Sequence, residues 1–183
     1  MKSFIKIDEG LHVDGLVGSL NSNPQLWDEN PQRRNYPNSP HAEMTDIWVR
    51  FGKGDFKELS NQHDSEWYPS AEFLPDAKAI AFRLMGKVNG ERLGGVLITR
   101  LPAGGKISPH IDKGWHAGYY EKFYVALTSP RGSVFGFESG DIISNPGDCY
   151  LFRNDRLHWV NNPSNEERLT MIVCIKTDLF KVE

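Results

Sequence analysis

The sequence predicts a mainly β protein, a sandwich or open barrel with helices packed on its outside. Three observations carry that prediction. About eight short apolar stretches follow one another from Arg92 onward, with turn residues between them. The first 91 residues hold one stretch of sustained helical periodicity. With 183 residues and 39% hydrophobic content, the chain has material for a core of its own. A single domain over 1–183 is expected, with residues 1–91 a helical and irregular support and residues 92–178 the β core.

The elements follow in chain order. Residues 1–8 alternate like a strand. Asp14 is placed to cap a short helix over 15–21. Residues 21–40, rich in Asn and Pro, read as an irregular connection. Residues 46–51 (DIWVRF) read as a strand closed by Gly52-Lys53-Gly54. Pro75 suits a first helical turn, and Ile80, Ala81, Leu84, Met85 and Val88 repeat at helical spacing until Asn89-Gly90 ends the run. Strands are then expected at 95–101, 107–112, 119–127, 134–138, 141–144, 149–153, 158–160 and 169–176. Residues 113–118 (KGWHAG) form a wet, aromatic loop. Asn145-Pro146-Gly147-Asp148 suits a tight turn with Pro second and Gly third.

Composition narrows the function classes. A net charge of −3 and a pI near 6.1 argue against a broad electrostatic surface for nucleic acid or anionic membrane. The Arg33-Arg34 pair reads as a solvated face. No apolar run approaches the roughly 20 residues of a spanning helix, and no export signal is evident, so a soluble, cytoplasmic protein is expected. Cys149 and Cys174 lie inside apolar runs and are expected as buried, reduced thiols.

The residues that carry chemistry lie late in the chain. On a strand, residues two apart share a face, so His110 and Asp112 are expected to project together while Ile111 goes the other way into packing. With His158 on a later strand they offer two imidazoles and one carboxylate to one face of a metal. The opposite face stays open, as in the facial triad of non-haem Fe(II) oxygenases. Arg168 and Thr170 again share a strand face. A guanidinium grips a carboxylate in two parallel bonds, and a neighbouring hydroxyl donates a third.

This set resembles the Fe(II)/2-oxoglutarate-dependent dioxygenases over residues 94–177. Within them it is most similar to the aspartyl/asparaginyl β-hydroxylase-like group, which includes free-proline hydroxylases. The narrower likeness rests on residues 45–50 (TDIWVR), 122–127 (KFYVAL) and 145–152 (NPGDCYLF) leading to His158. The resemblance implies a double-stranded β-helix (jelly-roll, cupin-like) barrel. It implies that His110, Asp112 and His158 bind Fe(II), that Arg168 with Thr170 holds the distal carboxylate of 2-oxoglutarate, and that Lys122 or Tyr124 reaches its other end. With O2, the implied reaction hydroxylates a C–H bond and releases succinate and CO2.

Asp112 is a departure from the animal peptidyl aspartyl hydroxylases, which lack the acidic ligand. It favours a free amino acid, a peptide or another small molecule as substrate. It also favours hydroxylation over halogenation, which needs a small residue there. Trp115, His116, Tyr119 and Tyr120 are expected to line the mouth, with His116 also weighed as a rival ligand. Arg50, Arg33, Arg34 and Arg100 are candidates to grip a substrate carboxylate. His12, His41 and His63 are expected at the surface. A cupin-like metal-binding protein without oxygenase activity would not need Arg168, and a non-catalytic binding module would not need the ligands. A nucleobase-modifying dioxygenase places a second Arg six positions after the first, where this chain has Cys174.

Overall fold

Alternating burial organises the structure, a computed structural model that describes residues 2–178. The front half contributes β1 (Phe4–Asp8), α1 (Asp14–Ser22), a 3-10 turn (Pro24–Leu26), α2 (Gln32–Asn35) and β2 (Thr45–Phe51). It continues with α3 (Phe56–Leu59), β3 (Glu66–Trp67), α4 (Ser70–Phe73) and α5 (Pro75–Lys87). The back half begins with β4 (Arg92–Leu101), β5 (Lys106–His110), α6 (Trp115–Tyr119) and β6 (Glu121–Ala126). It ends with β7 (Val134–Phe137), β8 (Gly140–Ile142), β9 (Cys149–Phe152), β10 (His158–Asn161) and β11 (Arg168–Lys176).

These strands form two antiparallel sheets, one ordered β1-β9-β6-β11-β4-β2-β3 and one ordered β5-β10-β7-β8. One face of the large sheet presents Val96, Ile98, Phe123, Val125, Met171 and Val173 to Leu16 and Leu20 of α1 and to Ile80, Ala81 and Leu84 of α5. The other face presents Leu101, Tyr124, Ala126, Tyr150 and Phe152 to Ile107, Phe135, Phe137 and Val160 of the small sheet. The protein is therefore a jelly-roll sandwich with helices on one outer face, and its sheets stay open instead of closing into a barrel. Each Val, Leu, Ile, Phe or Met among them, fully buried, contributes about 1.5–3 kcal/mol.

Three local features differ from expectation. Asp14 is the first helical residue instead of the cap; Val13 occupies the cap without a side-chain bond, and the acid still favours the positive helix end. Residues 113–118 are not a wet loop. They run into α6 after Gly114 at φ 93°, and His116 is buried. The front half also does more than pack outside, because β1, β2 and β3 complete the large sheet.

The expected turn at 145–148 forms, with Asp148 N–H donating to the Asn145 carbonyl at 3.0 Å. Gly147 adopts φ 85°, and a Cβ there would lie 2.5 Å from the Leu11 carbonyl oxygen, so glycine is required twice over. Cys149 and Cys174 are buried free thiols. Among the described residues no helix is long and apolar enough to cross a membrane.

Candidate metal centre

Two neighbouring strands of the small sheet bring the histidines together. His158 on β10 lies opposite His110 on β5 in register, with ring centroids 4.3 Å apart. The expected strand over 107–112 stops at His110 and Ile111 is exposed instead of packed; Asp112 follows just after β5, where its N–H donates to the Asn154 carbonyl at 3.0 Å. Its Oδ1 is 3.6 Å from His110 Nε2 and its Oδ2 is 3.8 Å from His158 Nε2.

The backbone sets both tautomers. His110 Nδ1 lies 2.8 Å from the Ser108 carbonyl, and His158 Nδ1 lies 2.7 Å from the Arg156 carbonyl. A carbonyl only accepts, so each Nδ1 carries the proton and each Nε2 lone pair is free toward Asp112. Burial pushes both imidazoles below their ordinary pKa, which keeps them neutral at pH 7. Two neutral imidazole nitrogens and one carboxylate oxygen suit a divalent first-row metal.

The carboxylate has a fixed countercharge. Burial opposes its ionisation, but Lys122 Nζ donates to Asp112 Oδ2 at 2.7 Å and holds the carboxyl well below the usual carboxylate range. Because the histidines are neutral, Lys122 is the effective cation. This pair also bridges the two sheets, since Lys122 projects from β6 of the large one.

Arg168 and Thr170 lie on β11, beside β6, and both are buried. They alternate with Leu169 and Met171, which face the helices, and so point into the interior between the sheets. Arg168 Nη2 donates to Tyr124 Oη at 3.0 Å, and Tyr124 shares a 2.8 Å hydrogen bond with Ser144 Oγ. Lys122 is thus engaged with Asp112, and Tyr124 with Arg168.

His41, which the sequence placed at the surface, joins the centre, backed by Arg33, a candidate to grip a substrate carboxylate. His41 is half-buried beside His110, with ring centroids 4.8 Å apart and edge to face. One nitrogen from each of these histidines and an Asp112 oxygen lie within 4.8 Å of one another. Arg33 Nη2 lies 3.3 Å from His41 Nε2, and Arg33 Nη1 donates to both Asp46 oxygens at 3.2 and 3.0 Å. Arg33 and Arg34 are therefore not a solvated face; Arg33 pairs with Asp46 and Arg34 with Asp28. No periodicity marks His41, because its segment is irregular. It is held along the edge of β5 by Ser108 N–H to the Pro40 carbonyl and by Lys106 N–H to Glu43 Oε2.

His41 mimics a ligand but has the wrong tautomer. A guanidinium has no acceptor, so Arg33 donates, Nε2 accepts, and Nδ1 carries the proton. His158 Nε2, 3.8 Å from Asp112 Oδ2, is the other candidate donor beside the carboxylate.

The expected rim residues cluster around α6. His116 is buried, its Nε2 accepts from Gly95 N–H at 3.3 Å, and burial pushes its pKa down to about 3. That bond makes it a poor rival ligand. His63, expected at the surface, stacks on His116 at 5.5 Å. Trp115 stacks on Tyr119 at 4.9 Å, and Tyr120 is buried, its hydroxyl without a partner among the described residues. Arg50 lies over Trp67 and donates to the Leu93 carbonyl at 3.3 Å. Arg100 lies over Trp27 at 4.5 Å, and His12 is exposed as expected. Asn154 links α6 to the centre, since its side chain donates to the Ala117 carbonyl at 2.8 Å while its own carbonyl accepts from Asp112.

No curated protein matches the sequence. The fold is similar to a prolyl hydroxylase of Trichoplax adhaerens in complex with a hypoxia inducible factor peptide fragment. That likeness has a TM-score of 0.63 and 15% identity, covering 96% of this chain and 84% of that one. It is also similar to the viral collagen prolyl hydroxylase of Paramecium bursaria Chlorella virus-1 in its 2OG complex, with a TM-score of 0.58, 13% identity and 96% of each chain covered. A 2OG-Fe(II) oxygenase family oxidoreductase of Burkholderia pseudomallei gives 0.53 and 11%, over 73% of this chain and 67% of that one. The model of one family spans residues 25–177, from the irregular segment before Arg33 through the last strand: this chain belongs to the aspartyl/asparaginyl β-hydroxylase family.

Proposed function

We propose that the protein is an Fe(II)- and 2-oxoglutarate-dependent dioxygenase that hydroxylates a C–H bond of a small molecule, amino acid or peptide residue. One observation carries the reading. His110, Asp112 and His158 converge from the small sheet with both Nε2 lone pairs free, and Arg168 is buried on the large sheet with its guanidinium on Tyr124, whose ring lies between the two sheets. The hydroxylase family and the 2OG named for two structural neighbours support it.

In this reading His110, Asp112 and His158 hold Fe(II), which supplies the activation of O2 when 2-oxoglutarate is bound. The rest is the work of the chain. Arg168, desolvated and oriented by Tyr124, anchors the distal carboxylate beside Thr170. Lys122 keeps Asp112 ionised and holds its carboxylate in place through Oδ2. The apolar wall of Phe135, Phe137 and Phe152 against His158 excludes water from one side.

Succinate release tests this directly. It should require both Fe(II) and 2-oxoglutarate, and Arg168→Ala should raise the half-saturating 2-oxoglutarate about a hundredfold, the scale of an unpaired buried charge. Equal turnover by the variant at low 2-oxoglutarate would refute the assignment of Arg168.

A further inference from the structure

The large sheet ends at β3, which among the described residues pairs only with β2. Tyr68 N–H donates to the Val49 carbonyl at 2.9 Å. That bond makes Arg50 and Trp67 a non-hydrogen-bonded pair of the ladder, so the N–H and C=O of Trp67 point away from β2. An open strand edge is a template for another strand, and folds ordinarily hide it.

This edge opens onto a groove of about 690 Å³. Trp67 and Tyr68 line it from the strand, Glu29 and Gln32 from the front segment, and Glu72 and Lys78 from α4 and α5. Neither the metal-ligand candidates nor Arg168 line it. The tryptophan continues the surface outward, because its ring lies 6.0 Å from that of Phe82 on α5. Phe82 is 58% exposed, which is unusual for so large an aromatic. Aromatic side chains beside a concave surface are the anchors that protein interfaces bury.

Charge selects the partner. Lys53 is held by Glu66 at 2.6 Å, and Lys78 lies over the Trp67 ring at 5.3 Å. Glu29 and Glu72 have no ion pair among the described residues. The charge left for a ligand is therefore negative, and a complementary ligand is basic.

We propose that this groove docks an extended, basic peptide segment of another protein as an added strand on β3. Main-chain bonds to Trp67 supply the pairing, and side chains supply the selection. Apolar side chains suit Trp67 and Phe82; basic ones suit Glu29 and Glu72. Docking here is independent of the metal and of catalysis.

The test measures binding of labelled heptapeptides to the full chain by fluorescence anisotropy. One peptide alternates lysine with valine, and a second replaces each lysine by glutamate. Two further copies of the lysine peptide carry N-methyl groups, on every lysine amide in one and on every valine amide in the other. The lysine peptide should bind about tenfold tighter than the glutamate peptide, the scale of a few exposed ion pairs. One methylated copy should bind like its parent and the other should not bind, because an added strand pairs through one edge only. Glu29→Lys combined with Glu72→Lys should weaken the lysine peptide about tenfold. Phe82→Ala should weaken it about fivefold, the scale of an interface anchor lost. All three side chains are exposed, so these variants should keep the wild-type melting temperature.

Absence of binding by the lysine peptide at millimolar concentration would overturn the proposal. So would equal binding of the lysine and glutamate peptides, equal behaviour of the two methylated copies, or unchanged affinity in the charge-reversed variant.

Discussion

Lys122 is the side chain on which the electrostatics of the centre turn. Asp112 is nearly enclosed, and its single strong partner is the Lys122 ammonium at 2.7 Å. Lys122→Met should therefore cost the metal-free protein about 2–4 kcal/mol, the penalty for a buried charge left alone. A divalent metal restores positive charge beside the same carboxylate. Thermal melts with and without Mn(II) should show a larger metal-induced gain in the variant than in the wild type; equal gains would contradict this. The candidate pair His110 and Asp112 was picked out by the period of two in a strand, although β5 ends at His110 and Asp112 lies just past it. His41 was not, because irregular backbone has no period to read and nothing in Ser39-Pro40-His41 marks proximity to β5.

At the scale of elements, β1 shows how an edge strand is secured. It pairs on one side only, with β9, and its last residue, Asp8, reaches α5. Lys87 Nζ lies 2.9 Å from Asp8 Oδ1, and Arg83 Nη2 donates to Oδ2 at 3.2 Å. Burial opposes ionisation of Asp8, but these two cations outweigh it and lower its pKa below the ordinary 3.8. Because the folded-state pKa is depressed, the stabilisation is present in full above the unfolded value. It is lost as pH falls through the folded one. Asp8→Asn should cost about 1 kcal/mol at pH 7, discounted because both cations are partly exposed. The gap in Tm between variant and wild type should close as pH falls below the ordinary carboxylate range, and a constant gap would contradict the linkage.

Element boundaries were legible where a chemical stop is strong, as with Pro75 and Asn89-Gly90 around α5. They were not legible at α6. Its five residues include a glycine and a histidine, and only packing against His63, Phe51 and Gly95 makes that segment helical and buried.

Over the whole molecule, function follows from two sheets facing each other with different duties. The small sheet carries the metal-ligand candidates; the large sheet carries the groups that would receive the oxo-acid, and Lys122–Asp112 ties them together. The β-rich character was legible from residue 92 onward. That β1, β2 and β3 extend the large sheet was not, because pairing between distant strands leaves no mark in either strand alone. The central claim is that His110, Asp112 and His158 bind one iron while His41, though adjacent, does not. Anaerobic addition of Fe(II) and 2-oxoglutarate should give a visible charge-transfer absorption in the wild type and in His41→Phe, and none in His158→Ala. A band that survives His158→Ala and disappears in His41→Phe would contradict the account.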